Sequence, residues 1–405
     1  MRVLLLTQVL PDPPDSGPKV KTAAVLRHLA SRHDVTLVSF TRGDQGESVA
    51  RLRSLCSAVH TVPIRRGKMR DAWHLGRSLV TGQSFLMARD ARAGMHQLVR
   101  GLLDTGGFDI VHADQLNMVQ YAAASGSAAR IFDAHNALWL VTDRLARTFG
   151  AGPRRLLLER EARLLKHYEG RVCREFEGVL AVSEEDRAAL CEAAGVETAV
   201  TVVPIAIDVG ATPLLARRGG PRRVLHIGSL IWPPSVDGLL WFLREVLPLV
   251  SARLTGVTVD IVGGNPPPEI VSWERNESGV RVHGYVADVE PLLSEASAMI
   301  VPLRAGGGMR VRILNGLAQG IPIVTTSIGA EGIAAESGRH LLIGDTPEEF
   351  AAAVVRVLCE EDLAARLVRE GRRLVEGRYD SRIVCRAIDG VYEHAVRRRQ
   401  GAAHA

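Results

Sequence analysis

Short apolar runs closed by turn residues alternate along this chain with longer stretches whose apolar positions recur at helical spacing. Residues 3–6 form the first run, and the proline-rich loop through Pro11, Pro13 and Pro14 leads from it to a helical pattern over 20–29. Runs at 35–40, 109–112, 130–132 and 178–182 continue the alternation, as a parallel α/β sheet requires. After Val203 and Pro204 the periodicity disappears into a stretch with Gly210, Pro213, Gly219, Gly220 and Pro221, read as an interdomain linker. A second cycle then begins with a strand at 224–227, Gly228, a loop through Trp232, Pro233 and Pro234, and a helix that Ser235 is placed to cap. Strands at 257–262, 281–283, 298–301 and 321–325 follow, with helices over 289–296 and 310–319. Three more helices, over 346–358, 362–375 and 381–396, end the chain, and the last is expected to cross back onto the first domain. The expected architecture is α/β, two doubly wound Rossmann-like domains facing across a cleft. Residues 1–203 form the first, 204–222 the linker, 223–378 the second, and 379–405 the returning helix and tail.

Composition agrees with two cores. The 405 residues exceed what one hydrophobic core usually organises, and 46% apolar and 23% charged residues are ordinary globular values. The net charge of +5 is carried mostly by arginine, since Lys19, Lys21, Lys68 and Lys166 are the only lysines. Such a field favours anionic ligands such as nucleotide diphosphates and falls short of a nucleic-acid footprint, so no nucleic-acid partner is expected. Cys56, Cys173, Cys191, Cys359 and Cys385 are scattered without CxxC spacing, which indicates neither disulfides nor zinc and fits a reducing cytoplasm. The first apolar run is too short for an export signal, and no window approaches the roughly 20 apolar residues of a membrane span. Membrane contact, at the inner face, would have to be peripheral. The charged stretch 154–175, with Leu157, Leu164, Leu165 and Tyr168, reads as a solvated helix packed on its own sheet, the alternative being a helix lying on an acidic membrane.

Ligands of open α/β sheets collect at the carboxyl ends of the strands, so the loops there carry the candidate chemistry. In the first, residues 11–21, Gly17 permits close backbone approach, and Lys19 and Lys21 flank a helix start that offers positive charge to a phosphate or acceptor. In the second, Asp133, Ala134, His135 and Asn136 follow a strand directly, where His135 could bond a sugar hydroxyl or assist proton movement and its neighbours could meet an acceptor. The third runs from Pro302 through Gly306, Gly307 and Gly308 into a helix begun by Arg310 and Arg312. Consecutive glycines expose amides at a helix start, a cradle for phosphate oxygens. Arginines in that first turn oppose the helix dipole by about 0.3 to 1 kcal/mol each, a conflict that a bound anion relieves. Ile313, Leu314, Leu317 and Ala318 make the core face of this helix, leaving Arg312, Asn315 and Gln319 on the other. Ser183 and Asp186 read as a helix cap, and Trp232, Trp241 and Trp273 as packing residues. No HExxH, aspartate pair or nucleophile elbow is present, so no metal site is expected.

In this order, the Pro-Pro-Asp-Ser-Gly loop ending at Gly17, the Asp133 to Asn136 segment, Ala181-Val182-Ser183-Glu184, Val203-Pro204, Ile227-Gly228, His283-Gly284-Tyr285-Val286, the 306–312 loop, Gly320-Ile321-Pro322-Ile323-Val324 and Gly329-Ala330-Glu331-Gly332 resemble glycosyltransferase family four, the retaining GT-B enzymes. The resemblance implies a retaining transfer of sugar from a nucleotide-diphosphate sugar, bound mainly by the second domain, to a carbohydrate, lipid-linked or small-molecule acceptor bound mainly by the first. It implies neither a resident cofactor nor a metal. His135 matches the family's histidine near the donor sugar, Gly17 its first-domain glycine, and Val286, beside Tyr285, the place where backbone meets nucleobase. Gly228 and Ser229 stand where relatives hold the diphosphate, but Ser229 replaces the usual arginine and no lysine follows, which leaves that work to Arg310 and Arg312. Gly307 and Asn315 stand where relatives commonly carry two glutamates. The rival expectation is therefore a non-catalytic GT-B partner subunit.

Overall fold

The structure, a computed structural model, describes residues 1–123, 125–196, 198–216, 222–274 and 279–403, with side chains as far as 401. It divides into two compact units: Met1–Ala206 with Ser381–Ala405, and Ile207–Asp380. The stretch 204–222 is shared between them, and Gly219, Gly220 and Pro221 lie outside the described residues.

Unit 1 is built on strands β1 (Arg2–Thr7), β2 (Asp34–Thr41), β3 (Ala58–Pro63), β4 (Ile110–Asp114), β5 (Ala129–Asp133), β6 (Gly178–Ala181) and β7 (Val200–Val202). They pair in parallel in the order β3-β2-β1-β4-β5-β6-β7. The inner strands are buried on both faces, which is why Val3 to Leu6 and Ile110 to Ala113 read as unbroken or nearly unbroken apolar runs. Unit 2 repeats the plan with β8 (Arg223–Ile227), β9 (Thr258–Val262), β10 (Val280–Gly284), β11 (Ala298–Val301), β12 (Ile323–Thr325) and β13 (Leu342–Ile343), in the order β10-β9-β8-β11-β12-β13. In each sheet the chain starts in the middle and reverses direction of growth once, beside β1 and β4 in unit 1 and beside β8 and β11 in unit 2. Those are the topological switch points, where the helices on either side diverge and leave a crevice at the carboxyl ends.

Strands β3, β7 and β13 carry no clear apolar run. β3 exposes alternate positions, and β7 and β13 are too short to show a period. The helix Pro153–Glu175 packs on its own unit through Ala162, Leu165, Val172 and Cys173, and among the described residues no helix is long and apolar enough to cross a membrane. Ser183 caps the helix Glu184–Ala194 through the Asp186 amide. Ser235 differs from expectation: the helix Pro233–Trp241 starts earlier, from Trp232, because proline is favoured in a first turn, and the Ser235 hydroxyl is left buried inside it without a hydrogen bond.

The C-terminal helix Arg386–Ala403 completes unit 1. Asp389 pairs with His28 at 2.9 Å on the helix Gly17–Ala30 and with Arg32 at 3.2 Å in the turn that follows it, Arg399 pairs with Glu177 at 3.2 Å, and Tyr392 is fully buried beneath β4 and β5.

Candidate functional site

Three adjacent strands of unit 1 end on buried polar residues in register: Thr7 opposite Asp114, and Asp114 opposite Asp133. Helix Gly17–Ala30 lowers Lys21 and Thr22 onto them. The Lys21 ammonium bonds Asp133 Oδ1 and lies 3.4 Å from Ala134 O, and Thr22 Oγ1 is 3.0 and 3.1 Å from the Asp114 oxygens. His135 Nε2 is 2.8 Å from Asp114 Oδ1. Because a carboxylate only accepts, Nε2 carries a proton, and in the neutral ring His135 Nδ1, buried without a partner, presents a lone pair. Below, His112 Nδ1 meets the Tyr392 hydroxyl at 2.7 Å and its Nε2 lies 3.4 Å from Asp133 Oδ2. Burial pushes the Asp133 carboxyl up, but Lys21 and then His112 outweigh it and hold it well below the usual carboxylate range. Burial, with Asp133 next to it, drives the Tyr392 phenol in the opposite direction, well above its ordinary value.

This arrangement corrects two expectations. Lys21 is 1% exposed and is the internal counter-ion of Asp133, so it offers no charge to a ligand, and Asp133 is the floor of the site rather than an acceptor contact. Lys19 pairs with Asp15 at 2.9 Å. Gly17 opens the helix and Asn136 is half-buried, its side chain without a hydrogen bond among the described residues. One ligand atom each from Asp114, Asp133 and His135 lies within 4.8 Å of the others, spacing that could hold a cation. The Lys21 ammonium already stands on Asp133, and a divalent ion would have to displace it.

In unit 2 the ends of β8, β9 and β10 are drawn together by backbone bonds, Gly228 N–H to Val262 O at 3.0 Å and Gly263 N–H to Gly284 O at 2.8 Å. A Cβ on Gly263 would lie 2.1 Å from Gly228 O, so only glycine fits. A Cβ on Gly228 would stand 2.3 Å from Arg312 Nη1 and 3.0 Å from both His226 Nε2 and Ser235 Oγ, which shows how closely these three side chains converge. Arg312 donates to Ile227 O at 3.1 Å, but its Nε and Ser235 Oγ are buried without a hydrogen bond, and the buried His226 ring has at most a poorly aligned contact with the Ile300 backbone. Burial, then Arg310, brings the Arg312 guanidinium down to about 10, still cationic at neutral pH, and burial, then Arg312, pushes His226 down to about 3 and keeps it neutral. Unpaired buried polar atoms are rare and costly, and a cluster of them beside a cation marks a place for an anion.

Arg310 departs from expectation. Its guanidinium turns back onto the carbonyls of Gly307 and Gly308, with Ile328 O at 3.4 Å, so it braces the glycine loop from inside instead of facing a diphosphate. Gly306 has φ 134°, and a Cβ there would lie 2.9 Å from the Trp232 ring. The helix Val311–Gln319 has the expected faces, with Ile313, Leu314, Leu317 and Ala318 buried and Arg312, Asn315 and Gln319 partly open. Ser229 and Tyr285 are exposed at the strand ends, and Val286 is half-buried. Asp114, Thr22, His226 and the unbonded Ser235 were not legible as site residues. The available signal was a polar residue inside or ending an otherwise buried strand, as in Val-Leu-His-Ile and His-Ala-Asp.

The pattern that defines Glycosyltransferase Family 4 matches residues 17–211, and that of Glycosyl transferases group 1 matches 221–360, one on each sheet. Together they mark the chain as one of the glycosyltransferase family-four type. Glycogen synthase of Mycobacterium tuberculosis is 28% identical over 209 residues, 49% of this chain and 49% of that protein. This family-four chain thus spans about half the length of the curated relatives it matches. Anabaena HepE, solved with UDP and glucose, superposes with a TM-score of 0.67 at 14% identity, covering 97% of this chain and 99% of that one. Sucrose-phosphate synthase of Thermosynechococcus elongatus superposes at 0.71 and 14% identity over 100% of both. The fold is GT-B.

The neutral His226 of this family-four chain makes stability depend on pH. Its folded value lies below its unfolded one, so the unfolded chain binds the extra proton and stability falls as pH drops from 6.5 toward about 3. The loss approaches about 1.4 kcal/mol per pH unit in that window and is absent above it. His226→Leu is expected to remove this slope, read as the difference between variant and wild type in urea unfolding at pH 5 and pH 7.5. Equal slopes in the two proteins would show that His226 is not held neutral.

Proposed function

We propose that this chain is a retaining, metal-independent glycosyltransferase that moves a sugar from a nucleotide-diphosphate sugar to an acceptor hydroxyl. The observation that carries this reading is the convergence on Gly228 of a cationic Arg312, a neutral buried His226 and an unbonded Ser235, at the switch point of unit 2. Arg312, Ser235 and the amides of Gly306, Gly307 and Gly308 hold the diphosphate and stabilise the charge that develops as it leaves, usually the largest catalytic contribution. His226, neutral, bonds a phosphate oxygen when its Nδ1 or Nε2 proton faces it. Ser229 adds a hydroxyl at the rim, Tyr285 and the Val286 backbone take the nucleobase, and Asn315 takes the ribose. In unit 1, His135 Nδ1 accepts a hydrogen bond from a hydroxyl of the transferred sugar while Asp114 fixes the ring, and Gly17 and Asn136 line the same crevice. HepE, solved with UDP-glucose, supports a uridine nucleotide sugar, and glycogen synthase supports a carbohydrate acceptor. Five free thiols support a reducing, cytoplasmic setting.

A second reading, a non-catalytic partner subunit, draws on Gly307 and Asn315 at the places of the usual glutamates. The two separate in one experiment on the full chain in EDTA. UDP is expected to raise the unfolding temperature, since a ligand bound only to the folded state stabilises it, and UDP-glucose is expected to release UDP slowly without an acceptor. Binding without any release favours the partner subunit, whereas activity lost in EDTA and restored by magnesium refutes metal independence.

A further inference from the structure

On the far side of the unit 1 switch point, β2 and β3 end in arginine-bearing loops that the donor chemistry leaves unused. Asp90, fully buried, closes the helix Phe85–Asp90 and receives Gln8 Nε2 at 2.8 Å from the loop after β1 and Asn117 from the helix after β4. Arg66, from the loop after β3, reaches its two oxygens at 2.8 and 3.0 Å, and Arg89 Nε lies 3.6 Å away, buried and without a hydrogen bond. Arg42, exposed directly after β2, starts beside the loop that carries Arg66, since Thr41 pairs with Pro63, and it has no ion-pair partner among the described residues. Two guanidinium groups thus stand against one carboxylate that already accepts from three side chains, Gln8, Asn117 and Arg66, and Arg42 adds a third charge to the same end of the sheet. The cations repel each other: Arg42 is lowered by burial, then by Arg66, and further by Arg89, with Asp90 offsetting only in part. Arg89 is lowered by burial and by Arg66 against the pull of Asp90 and the more distant Asp71. A surplus of cations at the ligand-facing edge of a sheet, one of them with a buried idle donor, is incomplete without an anion.

We propose that Arg42, Arg66 and Arg89 bind a negatively charged substituent of the acceptor, a carboxylate or a phosphate, and so select an anionic sugar over a neutral one. This rests on the reading that unit 1 takes the acceptor. The planar guanidinium matches both oxyanions through paired donors, and Asp90 holds Arg66 in position from below. Arg42 is the group to remove, because among the described residues none depends on its side chain for a bond, whereas losing Arg66 would take from Asp90 its ion-pair partner.

Calorimetry on the full, UDP-loaded chain with glucuronate, glucose 6-phosphate and glucose tests the site. Both charged sugars are expected to bind at least roughly 10-fold tighter than glucose, a preference that shrinks with added salt. Arg42→Ala is expected to erase roughly 10-fold of it with UDP affinity and unfolding temperature unchanged, and Arg42→Lys to restore more for the phosphate than for the carboxylate. Charged sugars that bind no tighter than glucose, or an Arg42→Ala variant that keeps the full preference, overturn the proposal. Failure to bind UDP in the same instrument instead overturns the transferase reading, and the same three sugars titrated into the chain without UDP then test the anion site on its own.

Discussion

Arg312→Met is expected to weaken UDP binding by roughly 10- to 100-fold while making the ligand-free protein harder to unfold. The two effects have opposite signs for one reason. Arg312 bonds a single carbonyl, its Nε is buried and idle, and no carboxylate neutralises it, so burial lowers its pKa to about 10. A buried charge of this kind costs stability, and methionine keeps the apolar stem without the charge, which should return about 1 kcal/mol or more. When a diphosphate arrives, the same guanidinium gains charge-assisted hydrogen bonds worth about 1.5 to 3 kcal/mol, and the variant lacks them. Calorimetry with UDP and urea unfolding without it measure the pair. Should affinity and stability fall together, Arg312 is a structural residue and the diphosphate must bind elsewhere.

His135→Ala is expected to lower sugar transfer by roughly 100-fold with UDP affinity unchanged, because the histidine belongs to unit 1 and the diphosphate groups to unit 2. Asp114→Asn is the companion variant. Asparagine can present its amide to His135 Nε2 as a donor, which favours the other tautomer and turns Nδ1 from acceptor into donor. If Nδ1 accepts from the sugar, this variant should lose activity as deeply as the alanine although the ring remains in place. Full turnover in either variant removes His135 from the chemistry. The outcome is read from initial rates and a UDP titration on the same preparation.

The central strands, the three glycines of the 306–308 loop and the strand-end histidine were legible because each leaves a local mark: an apolar run, a run of glycine, a polar residue at the end of a strand. The sign of a charge was legible too, but its depth was not. Lys19 and Lys21 look equivalent in sequence, yet the helix that starts at Gly17 turns one toward Asp15 and drops the other onto Asp133, a partner 112 residues away. Asp114 and Asp133 become neighbours only because β4 and β5 pair, which no local pattern states. Arg310 and Arg312 separate for a similar reason. The first precedes the helix and can fold back onto the glycine carbonyls, and the second, in the first turn, is aimed at the end of β8. The Asp90 cluster gathers side chains from loops after three strands and from two helices, and its meaning exists only in three dimensions.

Unit 2 is one continuous run of chain, whereas unit 1 needs both ends of it: His112 and Asp133 sit on Tyr392, and Asp389 and Arg399 pin the last helix to the first helix and to the loop before β6. During synthesis the ribosome therefore releases everything unit 2 requires before it releases the last piece of unit 1. The unit begun first is finished last, and a nascent chain stopped after Asp380 carries a complete unit 2 and a unit 1 whose buried His112 and Asp133 have lost the Tyr392 phenol beneath them.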